Sequence, residues 1–452
     1  MGKKTKIVLT VCICVVCLAL VCGICVTYIL TEPKAKTIPA WSWGTKLDPS
    51  GESVAKRGEI TTFAPDGCYT WWTNALALRH VGSKDQTYLS YVNEFGQMSL
   101  ASYNHETGAF AYTTLADYER DDHNSAALTV LPNNKILAVY ARHSKDHVIR
   151  WRISDKPEDI TSFGPEQTMN SAGSVTYIQL HRISDTEYRI FYRYDMSSWA
   201  TRVYNWVEDT WTEEIVWLFE NQGKQYYLWT QEDKEVGKIN VFMTGHPVNA
   251  PDQNIRYGYF DANGDIYTTG DKLIGTLTQE EKGFTPSPRD FDIVYEAQDG
   301  EHTRLYDVSF MGDEVAVMYG VGLDGNNSKY YYAYYDDAEG KWVNNFICKS
   351  GKAAVTGNMY FGGVSFDKKD MTTIYVTRRD DNERFCLEKW KTNDYGATWE
   401  VIEVIDSVES RLETIMRPII PYNTHDDIDV IYIRGKYPTY LTYDTDIVFY
   451  AD

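Results

Sequence analysis

TYLSYVNEFGQMSLASYNHETGAFAY, residues 87–112, reads as a buried strand, TYLSYVN, followed by an outer hairpin, ASYNHETGAFAY. The strand is rich in β-branched and aromatic residues, and Gly108 supplies a tight turn in the hairpin. The same unit returns along the chain. KILAVYAR, YRIFYRY, KINVFMTG, EVAVMYGV, TTIYVTRR and DVIYIRG begin near residues 135, 188, 238, 314, 372 and 429, about 40–75 residues apart. VYNWVEDTWTEE, YGYFDANGDIYT, AYYDDAEGKWVN and KWKTNDYGATWE repeat the outer hairpin. An isolated sheet of this kind leaves both faces uncovered, and closing a ring of them stacks neighbour on neighbour. The expected fold is therefore all-β, a seven-bladed β-propeller over residues 60–452; two β-sandwich domains are the alternative arrangement. The one helical candidate is SVESRLETIM, residues 407–416.

Composition agrees. The chain has 452 residues, 43% hydrophobic and 24% charged, which excludes a disordered or fibrous protein. Its 35 Tyr, 16 Phe and 13 Trp suit strands and also stacking on sugars. A net charge of −20 argues against a nucleic-acid partner.

Residues 7–30, IVLTVCICVVCLALVCGICVTYIL, carry no charge and exceed the roughly 20 residues a helix needs to cross hydrocarbon. Lys3, Lys4 and Lys6 precede them, so the expectation is a cytoplasmic tip and transmembrane signal anchor over residues 1–30, with the remainder outside the cytoplasm. A cleaved signal peptide would have a shorter apolar region and an A-x-A-like site. Residues 31–59 read as a linker. Five of the eight cysteines lie in the anchor; Cys68, Cys348 and Cys386 are too few and scattered for a disulfide scaffold or zinc site, with room for one bridge.

Thr392, Asp394, Gly396, Thr398 and Trp399 in TNDYGATW match the Asp-box hairpin of BNR repeats, in which the aspartate caps the turn amides, the glycine takes a positive φ and the tryptophan packs between blades. Residues 68–144, above all DDHNSAALTVLPNNKILAVYARH (121–143), resemble the opening blades of the BNR-4 repeat family, which includes ulvan lyase-type polysaccharide lyases. VIYIRGKYPTYLTYDTDIVFY (430–450) is similar to that family's last blade, so the resemblance spans about residues 62–452. It implies a seven-bladed propeller that cleaves a uronate-containing, ulvan-like or rhamnose-glucuronate polysaccharide by β-elimination.

Such a lyase must neutralise the uronate carboxylate, remove the proton at C5 and protonate the leaving oxygen. His123 precedes one strand and His143 closes the next, so one hairpin presents both at one end; the resemblance makes them the paired histidines that bind the uronate and assist proton transfer. It also suggests Tyr177 as acid or base, Arg193 as the carboxylate neutraliser, and Asn124, Tyr227 and His246 as substrate-binding residues. The plain readings are turn histidines, packing aromatics and an inter-blade ion pair. No metal-ligating residues and no cofactor are read, a structural metal ion being left open, and the expected state is a monomer whose partners are an acidic polysaccharide and, through the anchor, a membrane.

Other signals are set aside. GVGLDG (320–325) leads into a strand and reads as a hairpin loop, not a dinucleotide site. DANGD (261–265) lacks the later glutamate of a calcium loop. Asn326 begins a glycosylation sequon. Asp121 and Asp122 raise a glycosidase rival, but neighbours on a strand point oppositely, and a sialidase's early Arg-Ile-Pro is absent. An α-rhamnosidase-like hydrolase and a non-catalytic carbohydrate-binding or adhesion protein remain the alternatives.

Overall fold

The computed structural model describes residues 46–47 and 56–452 apart from 220–223, 248–249, 278–284, 312–313, 323–327, 356 and 358. The described residues all belong to the unit Gly44–Asp452. The apolar segment 7–30, most of the 31–59 stretch, the sequon at Asn326 and the end of GVGLDG lie outside them. Among the described residues no helix is long and apolar enough to cross a membrane.

Seven antiparallel sheets make the seven blades. Their inner strands are Ala77–Val81, Ala127–Val130, Val175–Arg182, Tyr226–Glu232, His302–Met311, Gly363–Phe366 and Thr414–Ile419. The repeated hydrophobic runs are the second strands: Asp85–Val92, Ile136–Tyr140, Glu187–Tyr194, Ile239–Gly245, Glu314–Gly322, Thr373–Arg379 and Val430–Thr439. They are nearly continuous apolar segments because each is covered on both faces by adjacent blades, as in Ile136–Tyr140, where all five residues are buried. The Asp-box hairpin takes its expected form. Asp394 accepts from Thr398 N at 2.8 Å, Gly396 sits at φ +82°, and the Trp399 ring packs edge-on to Tyr332 at 6.0 Å.

The helix expected at 407–416 is not formed. Glu400–Ser407 is the outer strand of the sixth blade and Thr414–Ile419 the inner strand of the seventh, with a turn between. Ladder pairing to Phe385–Lys391 and Val430–Thr439 outweighs the helical propensity of Glu, Arg, Leu and Met. Cys68, Cys348 and Cys386 are buried as free thiols, without the one bridge the sequence left open.

The ring is closed by Thr61–Ala64, which pairs with Thr442–Tyr450 and completes the last blade. Lys46–Leu47 pairs with Tyr112 and Ala111 on the outside of the first blade. At the seam Phe63 meets Phe110 and Phe449, each at 5.8 Å, and Phe449 meets Tyr103 at 5.5 Å. The seam joins chain ends that are nearly four hundred residues apart, so Phe449→Ala is expected to lower unfolding free energy by about 3–5 kcal/mol. Urea denaturation checks this, and a loss below about 1 kcal/mol would mean the void collapses.

Antiparallel pairing puts the starts of the inner strands and the ends of the second strands on one face. Bulges interrupt three inner strands near that face: between Thr176 and Gln179, Leu305 and Asp307, and Met416 and Ile419. Two bulge residues, Tyr177 and Arg417, have φ near +59° and +58°. Side chains that regular alternation would send between blades are thereby turned toward the centre of the face.

Candidate active site

His123 lies in the 3-10 turn Asp122–Asn124 that precedes the inner strand of the second blade, and His143 follows the second strand of the same blade. Their rings stack at 4.1 Å with 9° between planes. Tyr177, on its bulge, is 5.5 Å from the His123 ring and 6.0 Å from that of His143. Arg193, at the end of the neighbouring strand, lays its guanidinium over the Tyr177 ring at 4.6 Å. Tyr227 and His246, from the fourth blade, stack at 5.2 Å, and Tyr227 stacks on Trp72 at 4.2 Å. These six residues line one cleft of about 820 Å³, together with Asp121, Lys145, Tyr360 and Tyr440.

Asn124 is not on the cleft wall. Its side-chain oxygen accepts from His143 N at 2.8 Å and its amide donates to Glu119 O, so it fixes the loop that carries His143.

Asp121 and Asp122 do not point oppositely, as residues on a strand would. Asp121 caps the 3-10 turn, and the backbone there brings both carboxylates within 2.7 Å of His123 Nδ1. The second oxygen of Asp121 is 2.9 Å from His143 Nδ1. One carboxylate thus bridges two imidazoles, and each ring's Nε2 is the nitrogen left for other partners; that of His123 lies 3.5 Å from Tyr360 OH.

The two rings differ in charge. Burial works against a cation at His123, yet Asp122 and Asp121 outweigh it and hold the imidazolium up to about 9. Burial and the neighbouring His123 charge push His143 down to about 4. Burial, with Arg304 and Arg193 nearby, pushes His246 down to about 3. Burial opposes ionisation of Asp121, but the two imidazoles keep its carboxyl well below the usual range. Burial and the adjacent Tyr227 raise the Tyr177 phenol well above its ordinary value, with partial relief from Arg193. At neutral pH the cleft therefore holds one charged imidazole, His123, two neutral ones, His143 and His246, and the protonated Tyr177 phenol.

Arg193 is buried at 3% exposure. Among the described residues no carboxylate pairs with it; Nη2 is 3.4 Å from Ser144 Oγ and Nε has no hydrogen-bond partner. Desolvating a guanidinium without a counter-ion is costly, so the position is suited to receiving an anion.

Two sets of imidazole and carboxylate groups offer ligand atoms among the described residues: Asp121, His123 and His143, and His105, His425 and Asp427 on the opposite face. In the first the rings are stacked at 4.1 Å and within 9° of parallel, which keeps their in-plane lone pairs from converging well on one ion; in the second they stack at 4.2 Å with 29° between planes.

Sequence reading missed Tyr360, Tyr440, Trp72 and Arg304, whose guanidinium lies 5.1–5.7 Å from the Tyr360, Trp71, Trp72 and Tyr227 rings. Nothing local distinguishes one tyrosine among 35; Tyr360 and Tyr440 join the cleft only through ring closure, and Trp72 and Arg304 pack behind its wall.

Residues 86–299 match the BNR_4 family model, described as a BNR repeat-containing family member. No curated protein sequence matches the chain. Among solved structures, an ulvan lyase of polysaccharide lyase family PL25 bound to -[GlcA(1-4)Rha3S]- is similar with a TM-score of 0.66 at 13% identity, covering 87% of this chain and 96% of the other. A second PL25 ulvan lyase structure gives a TM-score of 0.67 at 12% identity over 87% and 96%. The chain thus resembles the BNR-4 family in sequence over those residues and the ulvan lyase-type propellers in fold.

Proposed function

We propose that this protein is a polysaccharide lyase that cleaves a uronate-containing polysaccharide by β-elimination, outside the cytoplasm, carried there by the 7–30 segment. The observation that carries the reading is Arg193, a buried guanidinium without a carboxylate partner among the described residues, set beside a stacked imidazole pair and a phenol in one cleft. A uronate carboxylate supplies the missing counter-ion, and bidentate pairing draws charge from C5 and acidifies its proton. His143, neutral and anchored through Nδ1, accepts that proton at Nε2. The electron pair forms the C4–C5 double bond, the C4–O4 bond breaks, and the protonated Tyr177 phenol donates to O4. His123 contributes fixed positive charge to the enolate. Tyr227 and His246, stacked on the cleft wall with buried Trp72 behind Tyr227, offer flat ring surface to a neighbouring sugar.

A glycosidase needs two carboxyl groups facing each other across the bond, whereas among the described residues the cleft wall carries one, Asp121, committed to both histidines. Incubation with ulvan, rhamnose-glucuronate gums and glycosaminoglycans separates the readings. Elimination is expected to raise ultraviolet absorbance as chains shorten, through the double bond conjugated to the carboxylate. Reducing ends without that absorbance would mean hydrolysis, and retention without products would mean a binding protein.

A further inference from the structure

Beneath the imidazole pair lies a second charge system that reaches the site from the far end of the chain. Arg417, fully buried on the bulge of the last blade's inner strand, donates through Nη1 to Asp122 Oδ2 at 2.5 Å and to Tyr69 O. Its Nη2 donates to Tyr437 OH at 2.8 Å, and Tyr437 OH in turn donates to Asp122 Oδ2. The guanidinium lies over the Trp71 ring at 4.3 Å and the Tyr437 ring at 4.8 Å, and its backbone N donates to Gly362 O. Asp122 is thus held rigidly on one oxygen while the other faces His123 Nδ1 at 2.7 Å.

We propose that Arg417 and Asp122 form a positioning pair that keeps His123 a cation and so makes the two stacked imidazoles unlike, one charged and one neutral. This rests on the lyase reading for its consequence, not for its physics. Asp121 alone contacts both rings and would leave the proton free to sit on either. Asp122 approaches only His123, and Arg417 keeps Asp122 ionised despite complete burial, which by itself would favour the neutral acid. Two adjacent cations at 4.1 Å repel, so a charge fixed on His123 keeps His143 neutral and available as a base. The other groups facing the pair are the Tyr177, Tyr360 and Tyr440 phenols and Arg193, and Cys68 lies 3.6 Å from Asp122. None of these is an anion at neutral pH; Arg193 adds to the penalty on a His143 cation, and Asp122 is the anion that approaches His123 alone.

The test is an imidazole titration by NMR with 13C-labelled histidine, His123 being assigned by its loss in His123→Gln. In the parent protein His123 is expected to titrate near 9. Asp122→Asn strands a buried guanidinium and can prevent folding, so the double variant Asp122→Asn/Arg417→Gln, which removes both charges, is measured beside it. In the folded variant the His123 midpoint is expected to fall by about 1–3 pH units. The alkaline limb of kcat/KM should fall with it, so that activity at pH 6 drops by about half at most, while at pH 8.5 it drops about threefold for a one-unit fall and more than about tenfold for two units or more. An unchanged midpoint overturns the proposal, as does a loss of activity uniform across pH, which marks a purely structural role. Should no polymer be turned over, the lyase reading fails and the NMR midpoint alone decides the role of the pair.

Discussion

Arg193→Gln is expected to lower kcat/KM on a uronate polymer by about 10²–10³-fold, with most of the loss in kcat. The side chain is nearly fully buried and its guanidinium has no carboxylate partner among the described residues, so glutamine removes an uncompensated charge and leaves stability equal or improved. Substrate binding needs only some positive potential, which His123 and Lys145 still supply on the same wall. The barrier needs more: negative charge moves from C5 onto the carboxylate in the transition state, and a planar two-point donor follows it where a point charge does not. Arg193→Lys is therefore expected to recover binding better than turnover. Steady-state kinetics with circular dichroism on the variants checks both statements. A glutamine variant with near-parental kcat would remove Arg193 from the chemistry and move carboxylate neutralisation to another cation of the cleft.

The seven second strands were legible because burial on both faces forces nearly unbroken apolar and aromatic runs. Inner strands such as Ala77–Val81, ALRHV, line the centre of the ring with mixed polarity and carry no such signature. The 407–416 stretch misled because Glu409, Arg411 and Leu412 are exposed turn residues whose helical propensity is overridden by ladder pairing of the strands on either side, which the local sequence does not show. In the site, His123 and His143 were readable as a pair because one hairpin brings them together over twenty residues. Asp121 and Asp122 were misjudged because a 3-10 turn, not a strand, carries them. Arg417, Tyr360 and Tyr440 were beyond reach, since only closure of the ring sets them beside residue 123.

Tyr177→Phe is expected to cost about 10²–10⁴-fold in kcat while leaving the fold intact. The ring is packed against Trp72, Tyr227 and the Arg193 guanidinium, and phenylalanine preserves each of these contacts. Only the hydroxyl is lost. Burial holds that hydroxyl protonated well beyond neutral pH, which suits a donor to the departing O4 and disqualifies it as a resting-state base. The two roles predict different rescue. A substrate whose leaving group needs no proton, such as a uronate carrying an aryl group at O4, should restore much of the lost rate if Tyr177 is the acid, because the group departs as a stable anion. If Tyr177 were the base, proton removal from C5 would remain slow whatever leaves, and the aryl substrate would show the same deficit as the polymer. The position also explains the backbone: φ +59° at a tyrosine is strained, and the strain puts this phenol on the cleft wall beside the imidazoles instead of between blades.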